Sequence, residues 1–203
     1  MKKIALIMVI FTLVSFSGNA SSALDGMVVC VDAGHGGSDS GATGECGILE
    51  KDVNLDVALM LRDRLESEGA HVIMTRDGDY YIPLEDRCQI ANDQGADIFI
   101  SIHCNSYSSP DANGIETYWY TYGSSDSKAL AVEIQENLVR TFDLRDRGVK
   151  QANYYVLKNT VMPAALAELM FISNPDECEM LSRADVRSYC AEALFDAVLN
   201  YAG

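Results

Sequence analysis

The sequence predicts one α/β domain, a three-layer sandwich with helices on both faces of a twisted, mixed, mainly parallel sheet. Three observations predict it. Short apolar runs rich in β-branched residues alternate with segments of helical periodicity. Glycine and proline fall at the junctions between those segments, and no linker-like tract divides the chain. At 203 residues and 48% hydrophobic composition, a single core can bury roughly 70% of the unfolded surface.

Residues 1–23 read as a secretory signal peptide. Lys2 and Lys3 precede an apolar stretch from residue 4 to residue 16, and small residues follow, with cleavage options after Ala20 or Ala23. The stretch is shorter than the ~20 apolar residues a span needs. The expectation is therefore an exported domain, residues 24–203, with no stable membrane span, acting in the periplasm or extracellularly at the cell wall.

Within that domain, residues 27–31 form an apolar strand that runs into the loop Asp32-Ala33-Gly34-His35-Gly36-Gly37. Residues 51–68 read as a helix, with Val53, Val57, Met60, Leu61 and Leu65 on one face and Gly69 as its stop. Residues 70–75 are the next strand. Pro83 opens a helix carrying Leu84, Cys88 and Ala91, closed by Gly95. Residues 97–102 are a buried strand, and residues 114–120 another, rich in aromatic and β-branched side chains. Residues 127–142 are helical, 154–157 short and extended, 164–172 a central strand after Pro163, and 184–201 a closing helix.

The formal charge of −15 makes a poor surface for phosphate backbones, so nucleic acid is not an expected partner. Six cysteines in an exported chain permit disulfides, with the pairing open, and the lack of C-x-x-C spacing argues against a structural zinc site.

Three polar residues do not fit a plain core. In α/β sheets ligands gather beyond the carboxyl ends of strands, and His35 and His103 both stand there, whereas His71 opens a strand and reads as a surface residue. Glu168 interrupts the apolar run Ala164-Ala165-Leu166-Ala167-Glu168-Leu169-Met170-Phe171. A buried carboxylate costs several kcal/mol unless it is paired, coordinated or protonated. It is either an internal salt-bridge partner of Arg76 or Arg87, or a metal ligand or general base. Two histidines and a carboxylate suit catalytic zinc, which commonly uses three protein ligands. Glu45, Glu50 and Asp52 all qualify as the third. Cys104 would point to the strand face opposite His103, which reads as a buried thiol.

The stretches VVCVDAGHGGSDSGA, LEKDVNLDVALMLRDRL, VIMTRDGD, IPLEDRCQIAN, ADIFISIHCNS, GIETYWY, RGVKQANYYVLKN and MPAALAELMFISNPDE resemble, in order and spacing, the zinc-dependent N-acetylmuramoyl-L-alanine amidases, the amidase type 3 family. The resemblance implies zinc (Zn2+) held by His35, Glu50 and His103, with Glu168 as the catalytic glutamate. It implies peptidoglycan as substrate, cut between N-acetylmuramic acid and the stem peptide's L-alanine. With no stretch that reads as a wall-binding repeat, targeting is expected from the catalytic domain or from a partner, a protein activator among the candidates. Ala33 and Met170 depart from the family's usual proline and glycine, neither at a metal position. Some relatives carry an inserted helix over the metal; the short stretch 121–127 predicts an uncovered site. Two rival readings keep the same residues: a zinc peptidase acting on plain peptides, and a wall-binding module without turnover.

Overall fold

The computed structural model describes residues 22–203. Six strands and six helices follow in the order β1 (Val28–Ala33), α1 (Glu50–Ser67), β2 (His71–Met74), α2 (Leu84–Asp93), β3 (Ile98–Asn105), β4 (Ile115–Tyr120), α3 (Ser125–Phe142), β5 (Asp146–Ala152), α4 (Tyr155–Asn159), β6 (Ala164–Phe171), α5 (Pro175–Ser182) and α6 (Ala184–Ala202). The strands make one sheet in the order β2-β1-β3-β6-β4-β5. Every pairing is parallel except β4 with β6, so two parallel blocks meet at one antiparallel seam. The mixed, mainly parallel sheet read from the sequence is the one that forms.

Alternation along the strands feeds two apolar layers. Val29, Val31 and Ala33 of β1 and Ile98, Ile100 and Ile102 of β3 join the larger core, which α1, α3 and α6 close with Leu61, Ile134 and Leu194. Cys30, Phe99 and Leu166 point the other way, into a smaller core with Cys88 and Ala91 of α2 and Val156 and Leu157 of α4. Both faces are buried, which is why the strands read as nearly continuous apolar runs. The leader assigned to residues 1–23 lies outside the described residues except for Ser22 and Ala23. Leu24 is buried in the larger core, and its amide donates to the Glu68 carbonyl at 3.2 Å.

Three local features differ from the sequence reading. Residues 155–159 are a short helix rather than extended chain. Tyr-Tyr-Val favours strands in isolation, yet here Val156 and Leu157 are buried against the second core, and tertiary packing overrides propensity. β5 has no counterpart in the sequence reading because Asp-Arg-Gly-Val-Lys-Gln-Ala carries no apolar alternation. It is an edge strand, half-buried along most of its length and held by pairing to β4. α5 is the third. Asn174 caps it by accepting from the Glu177 amide, and Pro175 occupies the first turn.

A disulfide joins Cys46, in the loop ahead of α1, to Cys178 on α5, across 132 residues of sequence; Cys30, Cys88, Cys104 and Cys190 are buried free thiols. Closing so long a loop restricts the unfolded chain. Replacing both partners by serine should therefore cost about 2–5 kcal/mol, read as a lower thermal midpoint that reductant no longer shifts.

Candidate metal centre

β1 ends at Ala33, and the chain turns at Gly34 into a loop whose backbone is unusual at His35. That residue has φ +61°, a left-handed conformation costly for a side chain with a Cβ. Two buried arginines hold it there. Arg76 donates to the carbonyls of Ala33, Gly34 and Lys51 at 2.8, 2.9 and 2.7 Å. Arg87 donates to the carbonyls of Ala33 and His35, both at 2.7 Å, and to the Asp32 carboxylate at 2.7 Å. Burial alone would raise Asp32, but the Arg87 charge and hydrogen bonds from Ser101 and Thr75 outweigh it and hold the carboxyl below its ordinary value. Both arginines are thus committed to this loop, so neither forms the internal salt bridge considered for Glu168.

Asp39 orients the His35 ring. Its Oδ2 lies 2.8 Å from Nδ1, so Nε2 is turned toward Glu50 Oε1, 3.2 Å away. The sequence reading missed Asp39, although its position four residues beyond His35 in a glycine-rich run was the available signal. Glu50 is the first residue of α1 and is 4% exposed. Its Oε1 lies 3.0 Å from His103 Nδ1, while its Oε2 accepts from the Ala42 amide at 2.8 Å. Glu45 and Asp52, the other candidates for this role, are exposed. β3 runs beyond Ile102 to Asn105, so His103 lies within the strand. Cys104 is turned toward Asn54 of α1, away from it.

One ligand atom from each of His35, Glu50 and His103 lies within 4.8 Å of the others. Arms of ~2.0–2.1 Å at a tetrahedral angle place neighbouring donors about 3.3 Å apart, which matches the 3.0 and 3.2 Å contacts at Glu50. Two imidazoles and one carboxylate are also the donor set that zinc accepts. Burial lowers and the two carboxylates raise His35, with the carboxylates prevailing at about 9; Glu50 is held well below the carboxylate range by the two imidazoles, against its burial. The residues present fit a divalent metal.

Two glycines leave room for these side chains. A Cβ on Gly34 would stand 2.3 Å from the His103 ring, and one on Gly41 would stand 2.6 Å from Glu50 Oε2. Gly34→Ala should therefore displace His103 and weaken metal binding by at least about tenfold, measured by competition with a chromophoric chelator.

Glu168 sits opposite His103 in the β3–β6 register, and Glu116 sits opposite Glu168 across the antiparallel seam. The three side chains share one face. Glu116 accepts from Asn105, Tyr118 and Arg147, each at 2.6 Å, and from Lys150; against its burial, these donors hold it down to about 2. Glu168 is different. Its Oε2 is the one buried side-chain polar atom among the described residues with no hydrogen-bond partner. Burial, then repulsion from Glu50 and Glu116, pushes its carboxyl well above the ordinary value. A carboxyl raised in this way beside a metal-ligand set is equipped for proton transfer. β4 and α3 are joined by residues 121–124 with no inserted helix, and the His35 and His103 side chains remain 26% and 20% exposed.

An α/β sheet that gathers two imidazoles, a carboxylate and an unpaired glutamate at its carboxyl edge has the parts a metal-dependent hydrolase needs. The family model described as N-acetylmuramoyl-L-alanine amidase matches residues 29–200, and the chain belongs to that family of cell-wall hydrolases. It is 41% identical over 177 residues to the N-acetylmuramoyl-L-alanine amidase LytC of Bacillus subtilis (strain 168), covering 87% of this chain and 36% of LytC. It is 39% identical to the probable cell wall amidase LytH of Staphylococcus epidermidis (strain ATCC 12228 / FDA PCI 1200), covering 90% of this chain and 60% of LytH. The crystal structure of N-acetylmuramoyl-L-alanine amidase from Clostridium difficile 630 superposes with a TM-score of 0.84 at 35% identity, covering 86% of this chain and 96% of that one. The chain thus spans about a third of LytC and nearly all of the solved domain.

Proposed function

We propose that this chain acts outside the cytoplasmic membrane and hydrolyses the amide between the lactyl group of N-acetylmuramic acid and L-alanine of the stem peptide. In this reading zinc is held by His35, Glu50 and His103, and Glu168 is the general base. The observation that carries it is the unpaired buried oxygen of Glu168, in register with His103 and on the same face. Zinc, when bound, would supply a Lewis acid that acidifies water and polarises an amide carbonyl.

The rest of the work falls to the chain. Asp39 fixes the tautomer and angle of His35. Glu168 accepts the proton of the attacking water and returns it to the departing alanine nitrogen. Glu116, kept ionised by Arg147 and Lys150, repels a second charge on Glu168 and so favours the proton-holding form between steps. Export rests on the leader at residues 1–23, and no described helix is long and apolar enough to cross a membrane.

The test uses residues 21–203, the chain left by cleavage after Ala20, because the Ser22 carbonyl accepts from the Asp25 amide in the turn that seats Leu24. Purified peptidoglycan is incubated with zinc or with a chelator, and newly exposed N-terminal L-alanine is assayed. Zinc-dependent release is the expected result. Cleavage of plain peptides lacking muramic acid, with no release from peptidoglycan, would replace this reading by a peptidase.

A further inference from the structure

A cavity of about 320 Å3 opens beside His35 and His103 on the sheet face covered by α2 and α4. Its walls are Tyr81 in the loop ahead of α2, Leu84 at the start of α2, and Tyr154 and Tyr155 at the start of α4, all exposed, and Leu166 lies in its floor. Three charged groups line it besides the two histidines, and all are committed elsewhere: Asp32 is buried and accepts from Arg87, Thr75 and Ser101. Asp39 is bound to His35 and to the Gly41 amide, and Arg87 is bound to Asp32 and to backbone carbonyls. The Tyr154 ring is already positioned, packed edge-on against Tyr118 at 5.1 Å.

The opposite flank of Glu168 has another character. There Arg147 and Lys150, both partly exposed, pair with Glu116, and Arg147 also acts on the buried Glu177. The scissile bond of the proposed reaction divides its substrate in the same way. On the glycan side, the lactyl carboxyl is consumed in the amide, which leaves an uncharged ring with an apolar N-acetyl methyl and C–H faces. On the peptide side, free carboxylates remain.

We infer that the tyrosine-walled cavity seats the N-acetylmuramyl ring, with Tyr81 and Tyr155 as its specificity-determining walls, and that the stem peptide leaves over Arg147 and Lys150. This rests on the proposed reaction. The cavity's volume lies at the small end of ligand pockets, which run from ~300 to 1,000 Å3, and so fits one sugar residue. Aromatic side chains give such a ring a broad apolar contact at low entropic cost.

The experiment measures binding, not turnover, in the zinc-loaded Glu168→Gln protein, residues 21–203. One probe is the disaccharide N-acetylglucosaminyl-N-acetylmuramic acid with its lactyl carboxyl capped as the methylamide. The other is the free tripeptide L-alanyl-D-glutamyl-L-lysine. Adding Tyr155→Ala or Tyr81→Ala should weaken disaccharide binding at least tenfold and change tripeptide binding less than twofold, while Tyr155→Phe retains disaccharide binding. Both tyrosines are exposed, so loss of folding is not the expected effect, and an unchanged thermal midpoint verifies this. Loss of tripeptide binding alone, no loss in either case, or failure of the parent protein to bind the disaccharide would each overturn the subsite. A wild-type protein that leaves peptidoglycan intact while the disaccharide pattern holds would overturn the reaction and keep the subsite.

Discussion

Glu168→Gln should lower peptidoglycan hydrolysis by about 10²–10⁴-fold, the usual contribution of a positioned acid–base group, while leaving one zinc bound per chain. Glutamine matches glutamate in shape and cannot exchange the proton. The variant therefore removes the chemistry and keeps the packing in the centre of β6. Stability gives an independent readout. In the metal-free protein the Glu168 carboxyl is raised by burial and by its acidic neighbours. A carboxyl whose folded value exceeds its unfolded one, ~4.3, costs the native state nothing below the unfolded value. Its cost grows as pH rises toward the folded value. Metal-free Glu168→Gln should accordingly be at least as stable as the parent near pH 7, and lose less stability on passing from pH 4 to 7. Thermal unfolding of both proteins across that range measures it. Retained hydrolysis, or activity lost only because zinc is lost, would remove Glu168 from the role of base.

How far such a site can be read in advance depends on what each residue's role requires. Glu168 is conspicuous because a charge inside Ala-Leu-Ala-Glu-Leu-Met violates the burial rule, and the fold leaves that violation unresolved. The two histidines are legible because strand ends are where an α/β sheet presents ligands. Glu50 could not be separated from Glu45 and Asp52 by spacing alone. What separates them is the fold: α1 carries Glu50 inward at its first residue and leaves Asp52 on its exposed side, while Glu45 stands exposed in the loop ahead of it. The arginine clamp was least visible. Arg76 and Arg87 act on backbone carbonyls, and a carbonyl leaves no mark in a sequence. The same limit governs the fold. Strands buried on both faces announce themselves by composition, whereas β5 is held by hydrogen bonds to β4 and α4 by what Val156 and Leu157 touch.

That clamp carries the largest stability prediction. Asp32 and Arg87 are 1% and 2% exposed and meet at 2.7 Å. Asp32→Ala would leave a guanidinium buried without its counter-charge and two hydroxyls, Ser101 and Thr75, without an acceptor. Breaking a buried pair from one side costs about 3–5 kcal/mol; at roughly 2–4 °C per kcal/mol for a domain of this size, the thermal midpoint should fall by about 6–20 °C. The pH dependence follows from the sign of the shift. Asp32 is held below its ordinary value when folded, so its contribution is complete above the unfolded carboxyl value of ~3.9 and is lost as pH falls through the folded one. The gap between parent and variant in urea unfolding should therefore be widest near neutrality and narrow below about pH 3.9. Because Arg87 also holds the His35 carbonyl, the variant should bind zinc more weakly even where it remains folded. A stability loss under about 1 kcal/mol at pH 7, within the range of an ordinary surface contact, would mean that the left-handed turn at His35 is held by Arg76 and the loop itself, without need of the buried pair.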